Sequence, residues 1–238
     1  MRNGIANRGR PALRTLQGTL EPVKRWALRR LRGELNVDRL VAEGLDLGRG
    51  VYIGRGVFID AGHPWLISIG DESVITSGTV VLAHDASTKL HTACTRIARV
   101  VIGDRVFVGA GAVILPGSRI GDDSIVGALA VVRGEVPPGS VVAGNPGTVV
   151  SDVASFAERH RNAAARGPVW PHEGWMAGRG ITEARKRAQR DALAAGVSGY
   201  VRGGPVGAAQ AESENGEHAA RDSWASSAAP ARPPVMPG

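Results

Sequence analysis

Branched aliphatic residues recur every sixth position from 102 to 132, as Ile102, Val108, Ile114, Ile120, Val126 and Val132. A period of six matches neither the 3.6 of an amphipathic helix nor the 2 of a half-buried strand. A fixed short period marks a repeat architecture, and a six-residue one predicts a parallel β-helix. Glycines follow several of the aliphatics, at Gly103, Gly109, Gly121 and Gly127, where they suit the corner that must follow each short strand. Three such units make one three-walled coil of eighteen residues. Ile102 is then expected to stack on Ile120, and Val108 on Val126.

The same phase runs upstream through Leu47, Ile53 and Ile59, and again through Ile69, Ile75 and Val81. The step from 59 to 69 exceeds six by four residues, which predicts a small bulge around His63–Leu66. The step from 81 to 102 leaves about fifteen residues over, a long insertion of the kind that repeat folds place on one face. We divide the chain into a basic, partly helical arm over 1–40, a β-helix over 41–150 with an inserted loop over 85–101, a helical extension over 151–203, and a disordered Gly/Ala/Ser/Pro-rich tail over 204–238. The expected class is all-β, with the helices as appendages.

Composition narrows this further. Aromatic residues make up only 4% of the chain, which fits a core built as a ladder of like aliphatics. The net charge of +7 raises nucleic acid as a partner, but the basic residues crowd the N-terminus from Arg2 to Arg32, without a nucleic-acid motif or interleaved aromatics for base stacking. No nucleic-acid partner is expected. A solvated arm is the plain reading; contact with an anionic membrane is the sharper one, because Trp26, Leu28 and Leu31 add apolar surface. No apolar run reaches spanning length, and nothing resembles a signal peptide. The single Cys94 excludes an internal disulfide and fits a reducing compartment. The expected location is cytoplasmic, with the arm able to hold the protein peripherally at the inner face of the membrane.

The chemistry concentrates where the repeat breaks. His84 stands three residues after Val81, at the start of the insertion, and a neutral imidazole there suits a general base for a hydroxyl nucleophile. A loop histidine bonded to a backbone carbonyl is the plain alternative. His91 is a weaker candidate for the same task.

The runs ISIGDESVITSGTVVLAHDAS, VVIGDRVFVGAGAVILPGSRIGDDSIVGALAVV and VPPGSVVAGNP resemble the hexapeptide-repeat acyltransferases, a family that includes galactoside, maltose and serine O-acetyltransferases. The stretches LVAEGLDLGRGVYIGRG and GPVWPHEGW are similar to sugar O-acetyltransferases of polysaccharide assembly, so the likeness covers about 40–201. It implies a left-handed β-helix, a homotrimer and direct transfer of an acetyl group from acetyl-CoA to a saccharide hydroxyl in cell-surface glycan biosynthesis. His84 matches the family's catalytic position. Asp60 and Asp85 are carried as acceptor-binding residues. Ala110 and Ala128 match positions that contact the pantetheine arm. Arg133 replaces a family Thr near the nucleotide end, where the following Lys is here Gly134. No metal site is expected.

Other readings remain open. A carbonic anhydrase on this fold needs three converging histidines, and none occurs from 92 to 159. A serine-type enzyme would have a His directly after Asp60, where this chain has Ala61. Another small-molecule acetyltransferase, or a β-helix scaffold without catalysis, is the remaining alternative.

Overall fold

The computed structural model describes residues 35–203. The basic arm up to residue 34 and the tail from 204 lie outside the described residues. The chain forms two compact units, Met1–Glu158 and Arg159–Gly238.

The first unit is a parallel β-helix with three walls. The first wall stacks Asp46–Leu47, Ile67–Ile69, Val100–Ile102, Arg119–Ile120 and Glu135–Val136. The second stacks Tyr52–Ile53, Val74–Ile75, Phe107–Val108, Ile125–Val126 and Ser140–Ala143. The third stacks Phe58–Ile59, Val80–Val81, Val113–Ile114 and Val131–Val132. Registers are those of the six-residue phase: Ile102 lies over Ile120 and Val108 over Val126. The last residue of each of the shorter strands points inward, so Ile59, Ile69, Ile75, Val81, Ile102, Val108, Ile114, Ile120, Val126 and Val132 form one dry core. Parallel pairing satisfies the strand backbone, while like side chains stack at the interstrand spacing of about 4.8 Å. The arrangement fits a left-handed β-helix of the hexapeptide type.

The edges explain the Gly-Asp dipeptides. Between the first and second walls, Gly48, Gly70, Gly103 and Gly121 stand so close to the next coil that a Cβ has no room; at Gly48 it would lie 2.6 Å from the Asp71 nitrogen. The carboxylates beside these glycines climb the same edge. The Asp71 amide donates to Asp104 Oδ1 at 2.8 Å, and the Asp104 amide donates to Asp122 Oδ1 at 2.9 Å. Buried hydroxyls serve the other corner carbonyls, as where Ser73 Oγ donates to the Gly103 oxygen at 2.7 Å and Thr76 Oγ1 to the Val108 oxygen at 2.6 Å. Polar groups inside the prism are thus paired, as burial requires.

The repeat ends where Thr148–Asp152 turns back antiparallel onto Ser140–Ala143. The protein is not all-β, which corrects that expectation: helices Val37–Ala42, Lys89–Thr92, Val153–Arg166 and Glu183–Leu193 accompany the strands. Their sequences lack the six-residue aliphatic phase, so they cannot join a wall. In the second unit, Val169–Pro171 pairs in parallel with Tyr200–Arg202. There Trp170 and Trp175 stack at 6.0 Å, and the Arg185 guanidinium lies 5.3 Å over the Trp175 ring. Among the described residues no helix is long and apolar enough to cross a membrane.

Candidate active site

Both irregularities in the repeat fall on one edge, between the third wall and the first. The excess after Ile59 includes a 3-10 turn, Pro64–Leu66, at the place the spacing predicts a bulge. One coil later the insertion opens as a short antiparallel ribbon, His84–Asp85 against Ile97–Arg96, with the helix Lys89–Thr92 at its tip. The loop is closed by Thr88 Oγ1 donating to the Cys94 oxygen at 2.7 Å, and by the Ala98 amide donating to the Ala83 oxygen at 2.9 Å. His84 therefore leaves the prism from a rigid base, because Ala83 beside it is fully buried.

The side chain of His84 is 37% exposed and rests on a buried carboxylate, that of Asp60, which is 2% exposed. His84 Nδ1 and Asp60 Oδ2 are 2.5 Å apart. Asp60 is held from below: its Oδ1 accepts from the Gly62 amide at 2.9 Å and its Oδ2 from the Ala83 amide at 3.1 Å. Burial pushes the Asp60 carboxyl up, but the bonds from His84, Gly62 and Ala83 together outweigh it and hold the group below the usual carboxylate range. An ionised carboxylate can only accept, so the imidazole carries its proton on Nδ1 and presents Nε2 as a bare lone pair. A fixed tautomer with a free Nε2 is what a general base needs.

Asp60, carried as an acceptor contact, is buried: both of its oxygens accept hydrogen bonds within the chain, and its side chain lies beneath the His84 ring. Asp85, next in an extended ribbon, turns away from the pair. Its Oδ1 accepts from the Ser87 amide at 2.9 Å, and the Ser87 bonds, with Arg96 and Arg133 nearby, hold its carboxyl below the usual range. Arg133 is thus on the same edge as His84. Ala110 and Ala128 are exposed and stacked, the Leu129 amide donating to the Ala110 oxygen at 2.9 Å, but on the edge between the second and third walls. One chain therefore divides the expected site residues between two edges. His91 is exposed on the loop helix.

His63 is the residue the spacing did not single out. Its ring packs 5.6 Å from that of His84 and 5.5 Å from Trp65, and its Nδ1 is buried with no hydrogen-bond partner. The sole signal for it is its seat in the four-residue excess after Ile59.

Fold and site together define a hexapeptide-repeat β-helix protein with an acid–base pair at the root of its insertion. The family model "Bacterial transferase hexapeptide (six repeats)" matches residues 99–134. CapG of Staphylococcus aureus is 30% identical over 139 residues, covering 56% of this chain and 81% of CapG. YvoF of Bacillus subtilis, whose acetyltransferase designation is itself provisional, is 38% identical over 101 residues, covering 42% of this chain and 56% of YvoF. WbbJ of Escherichia coli K12, provisionally named a lipopolysaccharide biosynthesis O-acetyl transferase, is 31% identical over 96 residues, covering 35% of this chain and 49% of WbbJ. The chain thus spans about half the length of YvoF and of WbbJ. It belongs to the bacterial hexapeptide-repeat transferases.

Proposed function

We propose that the protein is an acetyl-CoA-dependent O-acetyltransferase whose acceptor is a saccharide hydroxyl. The observation that carries this reading is the His84–Asp60 pair, a buried carboxylate beneath a half-exposed imidazole whose Nε2 is free. The names of YvoF and WbbJ support acetyl transfer, and that of WbbJ supports a glycan acceptor.

In the proposed reaction His84 Nε2 takes the hydroxyl proton as the acceptor oxygen attacks the thioester carbonyl. A C–O bond forms, the C–S bond breaks, and the proton passes to the departing thiolate. Asp60 stabilises the transient imidazolium without itself taking the proton. A backbone N–H or another fixed donor would steady the oxyanion. The separation of His84 and Arg133 from Ala110 and Ala128 on two edges supports a left-handed homotrimer, in which one chain's His84 edge meets the partner's alanine edge and the donor lies in the seam. A cytoplasmic protein whose basic arm touches the inner membrane face would meet lipid-linked glycan precursors.

The test is a screen of hydroxylated acceptors with labelled acetyl-CoA, with His84→Ala as the blank. Label transfer to a sugar that disappears in the variant supports the reading. Transfer that survives His84→Ala would refute His84 as the base, and no transfer to any hydroxyl would favour the scaffold.

A further inference from the structure

We propose that Asp60, His63 and His84 bind a divalent transition-metal ion of the zinc class, and that its occupancy silences His84. The second half of the proposal rests on the acetyl-transfer reading above; the first does not. Each of the three side chains offers one ligand atom, and these atoms lie within 4.8 Å of one another. Two imidazoles and a carboxylate form a donor set that suits zinc over magnesium or calcium, with a fourth position left for water.

The decisive feature is His63. A ring nitrogen buried without a partner is costly, and native structures seldom tolerate one. His63 Nδ1 is in that state while its ring faces His84 at 5.6 Å. Nothing in the acetyl-transfer scheme uses it. An ion would give this nitrogen a partner.

Binding has a definite cost at the pair. Two ligands on one zinc ion at about 2.0–2.2 Å each stand roughly 3.3 Å apart in tetrahedral geometry. Asp60 Oδ2 and His84 Nδ1 are 2.5 Å apart, so they must part by under an ångström. The ion takes the Nδ1 lone pair, so the neutral ring must carry its proton on Nε2 instead. With zinc on Nδ1 and the proton on Nε2, the ring has no lone pair left to take a proton, so His84 ceases to act as a base.

The test uses the full chain and zinc alone. Calorimetric titration of metal-free protein should show one zinc per chain with a micromolar Kd. His63→Gln should weaken that Kd at least tenfold. The paired variant His91→Gln, Cys94→Ser, which removes the exposed alternatives on the loop, should leave it within threefold. Affinity untouched by His63→Gln, or lost in the loop variant, overturns the site. Melting curves of both variants separate unfolding from loss of ligands. The two readings fail differently: a chain that binds zinc through His63 yet acetylates nothing keeps the site and loses the enzyme. Transfer that is indifferent to saturating zinc at this site refutes the silencing.

Discussion

Replacing Asp60 by Asn is the sharpest probe of the site, because it preserves shape and changes only what the group can donate. The carboxylate accepts from His84 Nδ1, Ala83 and Gly62. An amide cannot accept from all three donors; with its NH2 turned toward His84 Nδ1, at the cost of the Ala83 bond, that ring nitrogen becomes the acceptor. The ring proton moves to Nε2, the atom that must be bare for catalysis. Loss of a positioned general base costs about 10²- to 10⁴-fold in rate. At 1.36 kcal/mol per decade, that is about 2.7–5.4 kcal/mol of transition-state stabilisation. Asp60 is 2% exposed and meets no substrate, so kcat should carry the loss and KM should move little. Steady-state kinetics with labelled acetyl-CoA and the best acceptor from the screen provide the measurement. Adding His84→Ala to the variant should cost little more, since two residues acting as one unit are not additive. A variant retaining kcat within threefold, or one losing only KM, would refute the positioning role.

Three further outcomes concern the frame. Gly70→Ala should destabilise by about 2 kcal/mol or more, because the new Cβ would meet the Gly103 carbonyl oxygen at 2.6 Å, whereas Gly134→Ala, in open space at φ +83°, should cost only about 1–2 kcal/mol of left-handed strain; urea melts of both rank them. Ile114→Ala, in the fully buried third wall, should cost about 2–5 kcal/mol by the same melt, and a smaller loss would mean the prism collapses onto the gap. Because the folded Asp60 carboxyl lies below its ordinary value of about 3.9, its share of stability is present above that pH and lost as pH falls below it; Asp60→Asn should flatten this part of the acid limb in melts between pH 5 and 2.5.

The walls were legible because a parallel β-helix repeats its core residue at a fixed interval, and Ile102, Ile120 and their neighbours keep that interval without a slip. The bulge and the insertion were legible as departures from it. The Asp60–His84 pair was not. It joins residues 24 apart across two coils, and the contact depends on how each side chain leaves the edge after the phase has already broken. Periodicity gives the wall a residue belongs to, and says nothing of a side chain's direction at a corner. For the same reason Asp60 read as an open acceptor site instead of a buried support. Corner conformation was also hidden: Glu72, Arg105 and Asp123 stack in the left-handed region at φ 58°, 52° and 57°, where glycine would be the ordinary choice. Position within the coil overrode residue preference.

The division of labour between wall and edge explains why the site lies where it does. An inward-facing wall residue is stacked above and below by its equivalents, so a polar side chain there would break a dry ladder. An edge residue has a free side, and an edge with two irregularities one coil apart brings side chains from both together. The excess after Ile59 supplies Asp60 and His63; the insertion after Val81 supplies His84. Neither irregularity alone sets an imidazole on a sealed carboxylate. It takes both, held in register by the pairing of Phe58–Ile59 with Val80–Val81. Moving either irregularity by one coil would leave the walls intact and separate the pair, so the register of the third wall governs the chemistry as much as the residues that perform it.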